Sequence, residues 1–187
     1  MMKMSKIYWF SLLMVGAVFF TFSQGWGQTM PRKSGPVITN WYAVDKVVYG
    51  DPVRFYIEAH TTDKDMLRIA VSAYETGWGT LPVDWTFLKS QNQKEFKGYL
   101  QWNTFSSRAG SIPEWQQVYV TVSVFDKAGN ESNEVVFPIT FGIGGAAVSY
   151  QPPAPFDQGS VAKLGNVNIE LYDISRGLMW ENTPTRN

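Results

Sequence analysis

Four valines stand at every second position, Val118, Val120, Val122 and Val124, and alternate with Tyr119, Thr121, Ser123 and Phe125. A period of two puts all four on one side of an extended strand, whereas a helix would scatter them around its axis. β-Branched residues in such a run also favour the pleated conformation. The same period recurs upstream. Val53, Phe55, Ile57 and Ala59 alternate with Arg54, Tyr56, Glu58 and His60; Leu67, Ile69, Val71 and Ala73 oppose Arg68, Ser72 and Tyr74; Phe96, Leu100 and Trp102 share one parity against Lys97, Tyr99 and Gln101. Segments 37–44 and 135–141 read as the first and last strands, rich in β-branched and aromatic residues. Pro138 has no N–H for a ladder bond, so the last strand belongs at a sheet edge or carries a bulge. Residues 75–93 are irregular, with Gly77, Trp78, Gly79, Pro82, Trp85 and Phe87 among small and polar positions.

No helical segment long enough to cover a sheet separates these runs, and turn residues punctuate them at regular spacing. The pattern predicts an all-β sandwich of about seven strands over residues 36–142. One-sided alternation predicts antiparallel pairing, because parallel strands buried on both faces lack a polar side.

The two ends differ from this middle. Lys3 and Lys6 precede an apolar stretch at 7–22 and then Ser23, Gln24 and Gly25, which reads as a secretory signal peptide over residues 1–27. An uncleaved anchor would need roughly 20 apolar residues, and Thr21 and Ser23 shorten this one. Residues 28–35 read as a polar lead-in. Beyond Phe141, Gly142, Gly144, Gly145, Pro152, Pro153 and Pro155 mark residues 143–187 as a Gly/Pro-rich extension. Within it Val167, Ile169 and Leu171 alternate with Asn168, Glu170 and Tyr172, a possible strand-addition segment that either joins the sandwich edge or adds to another chain.

The stretch 118–132, VYVTVSVFDKAGNES, resembles the penultimate strand and final hairpin turn of bacterial immunoglobulin-like and fibronectin type III-like domains. The Asp-x-Ala-Gly-Asn turn of those families is here Asp126, Ala128, Gly129 and Asn130. Gly129 and Asn130 tolerate positive φ, and Asp126 can bond turn amides, so the three are structural turn residues. Both inter-sheet cysteines of antibody domains are missing, and Tyr119 has the wrong parity for a tyrosine corner. The resemblance implies an immunoglobulin-like scaffold with adhesion, spacing or assembly roles and does not choose among them.

Chemistry-bearing residues are sparse. The chain has no cysteine, which excludes disulfides, thiol nucleophiles and Cys-ligated zinc. His60 is the single histidine and sits on a polar strand face, and the carboxylates Glu58, Asp84, Glu95 and Glu114 form no pair by spacing. Asp126, Asn130 and Glu131 could be calcium ligands, but the turn itself uses them. The expectation is no catalytic residue, no metal and no cofactor. A formal net charge of zero with 17% charged residues gives no footprint for nucleic acid. Aromatic content of 16% exceeds what a sandwich core needs, so some rings must lie outside. Trp78, Trp85 and Tyr74 are the candidate contacts to a ligand or partner. The reading is an exported, non-catalytic module for protein–protein interaction or assembly in the cell envelope, periplasm or extracellular space. The partner would be another envelope protein or a second copy, and the membrane would be touched only through an uncleaved leader. The alternative is a carbohydrate-binding module using exposed tryptophans.

Overall fold

The computed structural model describes residues 35–142, 151–157 and 161–173. The expected signal peptide, nearly all of the lead-in, and the tail positions 143–150, 158–160 and 174–187 lie outside the described residues. Regular structure in the rest is extended, apart from a 3-10 turn at Ser90–Asn92. The strands are β1 (Val37–Tyr42), β2 (Lys46–Val48), β3 (Pro52–His60), β4 (Met66–Glu75), β5 (Gly79–Thr80), β6 (Asp84–Phe87), β7 (Glu95–Asn103), β8 (Gln117–Asp126), β9 (Val135–Gly142) and β10 (Ala162–Val167). The smaller sheet has the order β1-β3-β7-β10; the larger has β2-β9-β8-β4-β5, with β6 also paired to β4.

The core is the set of alternate side chains the sequence singles out. Val53, Phe55, Ile57 and Ala59 from β3, Leu100 and Trp102 from β7, and the four valines of β8 are buried between the two sheets, where Phe137, Ile139 and Phe141 of β9 join them. The chain is therefore an all-β, two-layer sandwich.

Three local expectations change. Segment 37–44 is not one strand: after Tyr42 the chain leaves the smaller sheet and re-forms as β2 in the larger one, parallel to β9. Val44 and Val47 are both buried, so this stretch feeds the core from both layers. In β4 a bulge between Met66 and Arg68 shifts the register, so Met66 is buried while Leu67 is only half-buried. Pairing is not wholly antiparallel, since β2 with β9 and β10 with β7 are parallel. Pro138 lies on a stretch of β9 that β2, starting opposite Thr140, does not reach.

The described residues 161–171 of the C-terminal extension join the sandwich, which therefore does not stop at residue 142. β10 completes the smaller sheet alongside β7, and Val167, Ile169 and Leu171 are buried in their own chain's core. Two glycines make room for it. A Cβ on Gly98 would lie 2.5 Å from Leu164 Cγ and 2.7 Å from the Ala162 carbonyl, and one on Gly165 would lie 2.5 Å from Thr86 Cγ2. Without side chains there, β10 settles against β7 on one side and β6 on the other. Trp102 Nε1 then donates a 2.9 Å hydrogen bond to the Ile169 carbonyl, satisfying a buried indole. Ahead of β10, Phe156 lays its ring 5.5 Å from that of Tyr56 on the outer side of the smaller sheet, where Tyr99 and Tyr42 also gather. Tyr56, of polar-face parity, is buried as a result.

Candidate functional site

The larger sheet turns an aromatic face outward. β4 sends Ile69, Val71 and Ala73 into the core, so Arg68, Ala70, Ser72 and Tyr74 point the other way. Register sets their neighbours. Phe87, Arg68 and Phe125 form one row, Trp85, Ala70 and Ser123 the next, then Ser72, Thr121 and Val136, and last Tyr74, Tyr119 and Pro138. Of these, Phe87 is 65% exposed, Val136 51%, Tyr74 49%, Tyr119 38% and Trp85 37%. Exposed single hydrophobics are ordinary on any protein surface; here five stand on one face of one sheet.

A cation, Arg68, lies among these rows. The Arg68 guanidinium sits 3.9 Å from the centre of the Trp85 ring and 5.8 Å from that of Phe125, and the two rings meet edge to face at 5.4 Å. Its buried Nε has no hydrogen-bond partner. The ring faces therefore stabilise the charge, and the charge in turn holds Trp85 in place.

The three rings singled out in the sequence separate here. Trp85 and Tyr74 share the outer face. Trp78 does not: it stacks on Tyr172 with centroids 4.2 Å apart and planes 8° from parallel, so one ring face is already covered from within the chain. Trp78 nonetheless remains 46% exposed at the turn between β4 and β5. Arg108 clamps Tyr172 further, donating to its hydroxyl and lying 5.2 Å from its ring, while Glu170 pairs with Arg108 at 3.5 Å and accepts from the Ser107 hydroxyl at 2.8 Å.

Beneath this clamp lies Glu75, a fully buried carboxylate. Its Oε2 accepts the Tyr172 N–H at 3.0 Å, and its Oε1 has no partner. Burial pushes the Glu75 pKa above the usual 4.5, with the Tyr172 hydrogen bond opposing the shift. The folded state thus holds this proton more tightly than the unfolded chain does. The stability linked to it is fully present below about pH 4.5 and is lost as pH rises through the folded-state pKa. Glu75→Gln keeps an acceptor for Tyr172 and removes the charge, so it should flatten this loss. Thermal melts of both proteins between about pH 4 and 8 test it; parallel pH curves would show that Glu75 does not titrate there.

Asp126, Gly129 and Asn130 sit together in the β8–β9 turn. Asp126 accepts the Asn130 N–H at 2.8 Å and its side-chain amide at 2.7 Å, and Gly129 adopts φ +86°. Burial works to raise the Asp126 pKa, but hydrogen bonds from Asn130, Ala128 and Gly129 outweigh it and leave the pKa lowered. Glu131 is engaged by the Ser123 hydroxyl at 2.6 Å. Among the described residues no group of three or more His, Asp or Glu stands close enough to hold a metal.

At the far end of the smaller sheet an open groove of about 460 Å³ is lined by Thr39, Glu58, His60, Asn92, Glu95 and Lys97. Glu58 accepts from the Asn40 amide there, and Asp84 is held elsewhere by the Asn168 N–H. Sequence spacing did not point to Glu58 and Glu95 as neighbours of one groove, because β3–β7 pairing brings them together. Glu75 was legible in principle, since it shares the parity of Ile69, Val71 and Ala73; Tyr172 and Arg108 carried no local signal. Compared with protein-family models and with curated proteins, the sequence matches no family model and no curated protein.

Proposed function

We propose that this chain is an exported, non-catalytic immunoglobulin-like module of the cell envelope or extracellular space, and that it contacts a protein partner through the outer face of the larger sheet. The observation carrying this reading is the contiguous exposure of Phe87, Trp85, Tyr74, Tyr119 and Val136 on one sheet face. Large rings give contact area at low entropic cost, which is why they anchor protein interfaces. Strand order supports the immunoglobulin-like assignment: β1, β3 and β7 lie together, as do β4, β8 and β9, in the manner of the two layers of such sandwiches. The departure is β10, which fills the edge beside β7 from the end of the chain and runs parallel to it.

A photo-crosslinking residue in place of Phe87, introduced in the producing cells, is expected to give covalent adducts. The same residue at Lys97, on the other sheet, should give none. Absence of adducts at Phe87 would remove the proposed contact surface. Carbohydrate binding is the second reading, favoured by the Trp85 ring that Arg68 holds in place and by Tyr74 in the same plane. Retention on a polysaccharide that Trp85→Ala abolishes would select it.

A further inference from the structure

We infer that Arg68 receives a single carboxylate of the protein partner, flanked there by apolar residues, on the outer face of the larger sheet. The inference rests on the contact surface proposed above and names the chemistry which that surface reads.

A guanidinium offers two kinds of surface. Its flat faces attract aromatic rings, while its N–H donors point outward in the plane and seek oxygen acceptors. Arg108 has both met within the chain: it lies 5.2 Å from the Tyr172 ring and pairs through Nε with Glu170 at 3.5 Å. Arg68 has only the first. Its guanidinium lies 3.9 Å from the centre of the Trp85 ring and 5.8 Å from that of Phe125, but no carboxylate of the described residues pairs with it. Its Nε is buried with no hydrogen-bond partner, which leaves the two terminal amino groups as the donors a carboxylate meets end on. Removing a cation from water costs free energy that rings return only in part and a counter-charge offsets. Stacking on Trp85 also fixes the guanidinium beforehand, so less freedom is lost when an acid docks.

The surroundings specify the rest of the ligand. Phe87, in the same row as Arg68, is 65% exposed and Trp85 37%, so the groups beside the acid are apolar. Arginine and tryptophan are residues on which interface energy concentrates. The exposed Glu131, which accepts from the Ser123 hydroxyl of this face at 2.6 Å, repels a second negative charge. A lone acid between apolar side chains therefore fits, and a polyanion such as an acidic polysaccharide does not.

The peptides acetyl-Phe-Glu-Phe-amide and acetyl-Phe-Gln-Phe-amide differ by one charge and serve as probes in calorimetric titrations of the full chain. Wild type should bind the Glu peptide at least about tenfold more tightly than the Gln peptide, as expected of one charge-assisted contact. Arg68→Gln should bind the two equally. Each protein is compared with itself, so any movement of Trp85 after loss of the cation cancels. Arg68→Lys, charged but without two parallel donors, should keep part of the preference. Circular dichroism checks that both variants fold. Equal binding of the two peptides by wild type, binding of neither, or a preference that survives in Arg68→Gln overturns the inference. Tighter binding of an oligogalacturonate than of the Glu peptide also overturns it, because the ligand would then be a polysaccharide. If Phe87 still gives adducts in cells alongside any of these results, the contact surface stands and only its acidic partner falls. Absence of those adducts removes the surface and the inference together.

Discussion

Ending the chain after Gly142 is expected to destabilise the whole sandwich rather than trim a loose tail. The truncation removes Val167, Ile169 and Leu171 from the core, together with the strand that closes the smaller sheet. The decisive loss is in what the strand covers. Trp102, only 1% exposed, loses the carbonyl that accepts its Nε1–H, and water reaches the side of the core formed by Leu100 and Trp102. The exposed apolar surface of Leu100 and Trp102 costs about 25 cal/mol per Å². A midpoint lower by several degrees is expected, since each kcal/mol lost corresponds to about 2–8 °C in small domains. Thermal unfolding followed by near-ultraviolet circular dichroism measures it. An unchanged midpoint would show that β10 is not held against β7 in solution.

Trp102→Ala should have the largest effect of any single substitution, about 3–5 kcal/mol. Its ring stacks on Phe55 at 6.3 Å and meets Phe141 edge on at 6.5 Å, so its removal leaves a void bounded by both layers and by the tail. Trp102→Phe refills most of that void but leaves the Ile169 carbonyl without its donor, and should cost less, about 1–3 kcal/mol. Trp85→Ala makes the useful contrast. It loses a partly exposed ring and a cation–π contact worth about 0.5–2 kcal/mol, so it should fold with a smaller loss of stability. Denaturant titrations of the three variants separate the cases. Equal losses at Trp102 and Trp85 would contradict the division between a core ring and a contact ring.

How far the chain's own pattern reaches can be read position by position. The inward residues of β3 and β8 are plain in the sequence because strand geometry repeats every two residues, and Asp126, Gly129 and Asn130 announce their turn through local hydrogen bonding. Leu67 defeats the pattern because a bulge adds one residue and reverses parity. Segment 37–44 defeats it because alternation marks a strand but not the sheet it joins.

What alternation could not convey is which outward residues are covered. Tyr56 and Tyr74 have the same parity in their strands, yet Tyr56 is buried under Phe156, a residue one hundred positions away, and Tyr74 faces open surface. Trp78 and Trp85 look alike in a glycine- and proline-rich stretch and both keep part of their surface open, but Tyr172 stacks on the first and Arg68 on the second. Periodicity is local and dictated by backbone geometry, so the residues alone determine the strands and their inner faces. Coverage depends on contacts between distant segments, such as those Gly98 and Gly165 permit by omitting a side chain; that choice belongs to the tertiary structure, and it decides both the extent of the sandwich and which outward rings stay open.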